Sequence, residues 1–393
     1  MKKKIYLDYA ASTPLDPKVL KEMMPYLKKE FGNPSSLHSF GQKARAAIEQ
    51  SREKVARFLN SKPLEVVFTS SATEANNLAI RGIAENAQIK GKPHIITSLI
   101  EHESVLAPIQ ELEQEGKIEA TYISSDSEGF VKAEDVVKSL KANTVLVSIM
   151  YANSEIGTIQ PIAEIGQGIK ELKEKNPSLK AVFHTDAVQA AQFLDCNVQK
   201  LNADLLTLSS HKVYGPKGAG TLYIKEGVSL NSLILGGGQE QGFRSGTENV
   251  AAIVGMGRAL EEIQNPRTHI ANIRIRQLRD KLIKGALSRI PNSFLTGSKT
   301  KRLENNVHLR FQGVEGKDLL LALDEKGIAV STGSACSEKT QEPSRVLLAL
   351  GLKLEEAASA IRITLGKYTK AEEVERFLKT LAPLVEKLRR QDV

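Results

Sequence analysis

The chain has 393 residues, 41% hydrophobic and 25% charged, the balance of a globular protein long enough to bury a large core in two or three domains. Its 54 basic and 46 acidic residues leave a mild charge of +8, and with no Trp and only Lys2-Lys3-Lys4 as a basic run it lacks the marks of a direct nucleic-acid binder. Two cysteines exclude a disulfide framework and a tetrahedral zinc site, and no apolar stretch is long enough to cross a bilayer; a cytoplasmic protein without metal or membrane partner is expected.

Residues 4–9 read as a short strand, ended by the turn Ala10-Ala11-Ser12-Thr13-Pro14. Helical periodicity covers 17–29, and Phe31-Gly32-Asn33-Pro34-Ser35-Ser36-Leu37-His38 is a loop by its turn formers. A helix over 42–59 leads into a β-branched and aromatic strand at 65–69. That strand breaks into Ser70-Ser71-Ala72-Thr73-Glu74-Ala75-Asn76-Asn77, which opens a helix. Ser71 and Glu74 have capping-box spacing, and a helix start with free amides beside hydroxyls is also a ready phosphate site. A strand at 94–98 runs into Glu101-His102-Glu103-Ser104 and then an amphipathic helix to about 115. A further strand over 144–150 ends in Tyr151-Ala152-Asn153-Ser154-Glu155-Ile156-Gly157 before a helix over 162–175.

Two strand ends then carry the most informative residues. One run closes in His184-Thr185-Asp186-Ala187-Val188-Gln189, and the run at 205–208 closes in Ser209-Ser210-His211-Lys212-Val213-Tyr214-Gly215-Pro216-Lys217-Gly218. Taken singly, Lys212 reads as a surface charge and Asp186 as a turn or helix cap. The pair, 26 positions apart, reads differently. A lysine amine can form an imine with a carbonyl cofactor, and a carboxylate keeps a pyridine nitrogen protonated so that the ring accepts electrons. That is a pyridoxal phosphate site in outline. The alternation of strands and helices implies a mostly parallel, doubly wound α/β sheet with its binding crevice at the strand carboxyl ends.

Beyond the strand at 222–224 come Gly236-Gly237-Gly238 and Phe243-Arg244-Ser245-Gly246-Thr247-Glu248-Asn249, then a charge-rich helical stretch from about 251 to 289. A smaller α/β unit follows, with strands at 306–311, 328–331 and 361–365 and helices at 317–326 and 354–360. Its last helix is opened by Thr369 and Glu372 at capping-box spacing. Cys196, beside Leu194 and Val198, reads as a small buried hydrophobe, whereas Cys336 lies among Gly333, Ser334, Ser337, Glu338 and Lys339 and is a candidate nucleophile. Arg362 alternates with Ile361 and Ile363, and its planar fork suits a substrate carboxylate.

The strings around Asp186 and Lys212 resemble those of the cysteine desulfurases (NifS/IscS-like) of the class V aminotransferase family, with matching segments from Tyr6 to about Gly366. The resemblance implies the fold of type I pyridoxal phosphate enzymes. It implies a large cofactor-binding domain over 13–255 and a small domain made of 1–12 and 256–393 that carries the cysteine loop. By the same resemblance Ala72, Thr73, Ser209 and His211 hold the cofactor phosphate, and Thr247 of a dimer mate completes that site, so a homodimer is implied. Gln189 meets the ring hydroxyl, His102 stacks on the ring and can move protons, Asn153 touches cofactor or substrate, and Asn33 and Arg362 bind the substrate. The spacing from Cys336 to Arg362 resembles the group with a long catalytic loop. The sequence departs from the family pattern at the charged run Ser337-Glu338-Lys339-Thr340-Gln341, at Arg345 where histidine is common, and at Ser71 where glycine is frequent.

The activity implied is conversion of L-cysteine to L-alanine, with the sulfur held as a persulfide on Cys336 for an acceptor protein of iron–sulfur assembly or transfer RNA thiolation. Lys212 takes the α-proton, and His102 and Lys212 are the candidate acids. Two other readings share these residues: another class V enzyme, such as an aminotransferase or selenocysteine lyase, and a cofactor-containing scaffold without turnover. No Gly-x-Ser-x-Gly elbow, phosphate loop or dinucleotide fingerprint is present.

Overall fold

The computed structural model describes residues 4–89, 91–333 and 343–390. Among the described residues the strands follow in chain order as β1 Ile5–Tyr6, β2 Val66–Thr69, β3 His94–Ser98, β4 Glu119–Ile123, β5 Thr144–Ser148, β6 Val182–Asp186, β7 Leu205–Ser209, β8 Gly220–Ile224, β9 Ser293–Leu295, β10 Asn306–Phe311, β11 Ile328–Ala329 and β12 Ala360–Thr364. The helices are α1 Pro17–Lys28, α2 Ser39–Leu59, α3 Ala72–Asn86, α4 Glu103–Gln114, α5 Ala133–Lys138, α6 Ile162–Lys175, α7 Val198–Leu201, α8 Val250–Ile263, α9 Pro266–Arg289, α10 Gly316–Glu325, α11 Arg345–Ala349, α12 Leu354–Ala358 and α13 Ala371–Arg389.

Seven strands form the large sheet in the order β2-β8-β7-β6-β5-β3-β4. Only β8 is antiparallel to its neighbours, so the mostly parallel sheet expected from the alternation is present. Strands β2, β3, β5, β7 and β8 are buried at every position, as a sheet covered on both faces requires. One core packs Val19, Ile48, Val55, Phe68, Phe183 and Met256 together, and a second packs Val67, Leu78, Ile95, Ile109 and Leu222 on the opposite face. Successive residues of β2, Val67 and Phe68, thus point into different layers. Because β3, β5, β6 and β7 run in one direction, their carboxyl ends and the loops after them lie along one rim.

A separate apolar cluster gathers Leu278, Leu282, Leu309, Phe311, Leu319, Ile363 and Phe377 with Ile5 and Leu7 from the start of the chain. Here β12-β10-β9 form an antiparallel sheet, and β1 pairs with β11 in parallel. Single bridges tie Asp8 to Thr364 and Ser331 to Arg362. The first strand therefore packs with the last third of the chain.

Several boundaries differ from the sequence reading. The helical stretch after residue 250 is two helices, because Asn265 caps the amide of Arg267 (3.0 Å) and Pro266 starts a new helix. The last helix begins one residue later than expected: Glu373 accepts from the Lys370 amide (2.9 Å), while Thr369 accepts from Gly366 N (2.9 Å) and closes the turn before it. Strand β4 has a weak apolar pattern and sits at the sheet edge, which is why sequence periodicity passes over it. Among the described residues no helix is long and apolar enough to cross a membrane.

Candidate active site

The rim of the large sheet opens into a cavity of about 290 Å³ lined by Ala72, Thr73, His102, Asp186, Gln189, Ser209, His211, Lys212 and Arg362. These side chains come from the start of α3, the N-cap of α4, the ends of β6 and β7, and the middle of β12. Arg362 comes from the second unit and the N-terminal Ala10 and Ala11 also line the cavity, so it lies where the two units meet.

Asp186 ends β6 and is 8% exposed. Its Oδ1 accepts from the Val188 amide (3.0 Å), and its Oδ2 accepts from Nδ2 of Asn76 (2.8 Å). These bonds fix the carboxylate's orientation at the cavity wall. Lys212 sits in a single helical turn, Ser210–Lys212, directly after β7. The chain reverses sharply there: Tyr214 has φ +65°, and a Cβ on Gly215 would lie 2.0 Å from Ser210 Oγ. The turn aims Lys212 Nζ at the carbonyls of Ala10 (2.6 Å) and Ala11 (2.8 Å), and Gln189 donates to the same Ala10 carbonyl (3.1 Å). The N-terminal segment is thus a wall of the site, a contribution that Ala10 and Ala11 carry through backbone atoms and that no side-chain motif signals.

At another wall the first turn of α3 presents the amides of Ala72 and Thr73, which have no acceptor within the helix. Ser71 caps the helix by accepting from Glu74 N (3.2 Å), but the capping box is only half formed. The Glu74 carboxylate turns away to Ser70 N (2.9 Å) and to Nε of Arg244 (2.9 Å), tying the Arg244 loop to the helix start. Strand β8 runs against this turn so closely that a Cβ on Gly220 would lie 2.5 Å from the Ser71 carbonyl carbon. Positive helix-end potential, the Ser209 hydroxyl and His211 together make an anion cradle. Burial lowers the His211 pKa to about 4, with the lysine charges nearby adding to the effect, so its imidazole is neutral at pH 7.

His102 caps α4 through Nδ1, which lies 3.1 Å from the Ser104 amide and 2.8 Å from Ser104 Oγ. Burial pulls its pKa below the ordinary histidine value; Asp186 raises it and Lys212 lowers it. The neighbouring Glu101 is fully enclosed, and burial lifts its pKa to about 8. Arg362 is 2% exposed. Its Nη2 donates to Asp8 Oδ1 (2.9 Å) and its Nη1 to the carbonyl of Ser154 (3.2 Å).

Three expected residues lie elsewhere. Asn153 is 1% exposed and does not line the cavity. Its Oδ1 accepts from the amides of Glu155 (2.9 Å) and Ile156 (3.0 Å), and its Nδ2 donates to Ile100 O (3.0 Å), so its polar atoms hold a turn while Ser154 faces the cavity. Asn33 is exposed and closes its own turn by accepting from Ser35 N (2.9 Å). Thr247 is exposed in this single chain. Cys336 lies outside the described residues. Next to its segment, Glu155 Oε2 accepts from Ser344 Oγ (2.5 Å) and would lie 3.2 Å from a Cβ on Gly333. Sequence reasoning gave no role to Asp8, Asn76 or Ser104; Asn76 and Ser104 stood only inside quoted strings, and nothing local marks them.

A lysine and a carboxylate across a cavity with an anion cradle and a buried arginine define a group-transfer enzyme built around a phosphorylated carbonyl cofactor. The chain belongs to the aminotransferase class-V family, which matches residues 5–377. Members of that family depend on pyridoxal phosphate. "Cysteine desulfurase IscS" of Dictyoglomus turgidum is 48% identical over 99% of this chain and 96% of the relative. A solved "NifS-like protein" covers 98% of this chain and all of its own at 38% identity with a TM-score of 0.90. The structure named "SspA in complex with cysteine" covers 94% of this chain and all of its own, at 38% identity and a TM-score of 0.81.

Proposed function

We propose that this chain is a cysteine desulfurase that holds pyridoxal phosphate on Lys212. The observation carrying the reading is the convergence of Lys212, Asp186, His102 and Arg362 on one cavity, together with the relatives of that name over nearly the whole chain. The donor set suits the cofactor. A carboxylate oriented by two donors would meet a pyridine nitrogen, the α3 start with Ser209 and His211 would take a phosphate, and Gln189 would meet the ring hydroxyl. When bound, the cofactor supplies an electron sink for the substrate α-carbon.

The chain's own residues do the rest. Arg362 receives the substrate α-carboxylate with the donors it does not spend on Asp8 and Ser154. Lys212 removes the α-proton and returns one to carbon, and Asp186 supplies the fixed negative charge opposite it. Cys336 as thiolate attacks the substrate sulfur: the carbon–sulfur bond breaks, a sulfur–sulfur bond forms, and cysteine plus thiol become alanine plus persulfide with no outside oxidant.

The same reading includes a cytoplasmic homodimer that passes sulfur to an acceptor protein of iron–sulfur assembly or transfer RNA thiolation. What supports the dimer is the surface around the two distant site residues. Phe31, Leu37 and Leu235 are 77%, 91% and 85% exposed near Asn33 and Thr247 in sequence, as residues covered by a second copy would be. In a dimer Thr247 reaches the partner's phosphate cradle.

The test is to incubate purified protein with L-cysteine and measure alanine and the mass of the Cys336 peptide. Alanine with one extra sulfur on Cys336 is expected, and Cys336→Ala should abolish both. An aminotransferase would keep turning over without Cys336, and a scaffold would yield no steady alanine.

A further inference from the structure

The proton position on His102 is dictated by a chain of side chains behind it. Asp186 Oδ2 can only accept, so the Asn76 atom 2.8 Å from it is the amide nitrogen. Turning the amide over would set its oxygen against the carboxylate. Its present orientation instead leaves Oδ1 buried without a partner among the described residues. Asn76 is wholly buried, and its Nδ2 has two hydrogens. One goes to Asp186 and the other to Ser104 Oγ, also at 2.8 Å.

Ser104 Oγ has therefore used a lone pair on Asn76, and its own hydrogen points at the remaining neighbour, His102 Nδ1, 2.8 Å away. The Ser104 amide donates to the same nitrogen at 3.1 Å. Two donors converge on one ring atom, and a proton there would oppose both. The charges that act on the ring are two acids, Asp186 and Glu103, and two bases, Lys212 and Arg345. Burial, the largest influence, disfavours a charged ring, and the two donors at Nδ1 then decide which nitrogen keeps the single proton.

We propose that Asn76 and Ser104 lock His102 as a neutral imidazole protonated on Nε2, so that it faces the cavity as a hydrogen-bond donor and leaves proton transfer at the substrate carbon to Lys212. The lock is a property of this chain's residues; its bearing on proton traffic rests on the desulfurase reading above. Asn76 and Ser104 act through His102 and Asp186 and are positioning residues. The lock also ties the carboxylate that would serve a pyridine nitrogen to the ring that would lie over it, so loosening one loosens the other.

The experiment uses the cofactor-loaded protein with ¹⁵N-labelled histidine. Ring-nitrogen correlation spectra identify His102 among the seven histidines as the signal missing from His102→Gln. The expected pattern is the Nε2-protonated tautomer, unchanged from pH 8 to below the ordinary histidine midpoint. Ser104→Ala removes one donor from Nδ1 and should raise the midpoint by roughly half to one pH unit, the equivalent of one hydrogen bond. Asn76→Ala frees the hydroxyl to rotate and should mix the tautomers, while Ser104→Thr, which keeps a hydroxyl, should behave as the parent. An Nδ1-protonated or doubly protonated His102 at pH 7 overturns the proposal, as does a His102 signal that neither Ser104→Ala nor Asn76→Ala moves. Alanine formation measured on the same samples separates the readings: its absence refutes the desulfurase assignment, while the spectra still decide the lock.

Discussion

Replacing Arg362 tests whether this buried cavity arginine binds the substrate. The guanidinium is buried, spending one bond on Asp8 and one on the Ser154 carbonyl, and a five-hydrogen fork has donors left for a carboxylate. A hydrogen bond to a charged group contributes about 1.5–3 kcal/mol, so losing two in Arg362→Gln should cost about 3–6 kcal/mol of substrate binding, roughly a 10²- to 10⁴-fold rise in KM. Arg362→Lys keeps a charge beside Asp8 but loses the fork, and a rise of about 10- to 100-fold is expected. The assay is alanine formation across a cysteine series, reading KM apart from kcat. A thermal scan of each variant separates substrate binding from folding, since Arg362→Gln also removes the ion pair to Asp8, whose side chain is 17% exposed. If Arg362→Gln saturates at the parent's cysteine concentration, Arg362 does not hold the carboxylate.

Burial lifts the Glu101 pKa from 4.5 to about 8, so the folded state keeps a proton that the unfolded chain releases near pH 4.5. Stability from this group is full below pH 4.5 and falls as pH rises toward 8. Glu101→Gln should flatten that part of the thermal midpoint against pH, and an unchanged slope would refute the assignment. Arg52 holds Glu240 through two bonds of 2.7 and 2.8 Å, and both side chains are almost fully buried. Glu240→Ala, which leaves the guanidinium only Glu49 and the Val66 carbonyl, should lower stability by about 1.5–3 kcal/mol in a denaturant titration; a loss under 1 kcal/mol would contradict the burial argument. Gly220→Ala should push the start of α3 away from β8 and weaken retention of pyridoxal phosphate, measured as cofactor released on dialysis; parent-like retention would argue against the cradle.

Much of the fold was legible because alternating apolar strands and amphipathic helices announce a covered parallel sheet, and Asp186 and Lys212 stand at strand ends within long strings. Asn153 was harder to read. From sequence it is a polar residue after a strand, one position from Ser154, and only the turn shows that it faces inward and Ser154 outward. Asp8, Asn76 and Ser104 had no local signal, since an aspartate after a strand or an asparagine in a helix is ordinary. Their importance comes from what they touch. Thr369 was misread because capping-box spacing occurs at two overlapping registers, and the packing of α13 selected the second.

By itself the sequence determined the alternation of the main strands and helices, the chemical types at the strand ends and the membership of the chain, because catalysis needs particular functional groups and strand ends display them. Tertiary structure alone decided which groups meet. Asn76 reaches Asp186 across 110 positions, the Ala10 carbonyl meets Lys212 across 202, and Asp8 meets Arg362 across 354. Such contacts depend on strand order and sheet packing, whose burial energy offsets the entropy of closing long loops, and neither is written in local periodicity.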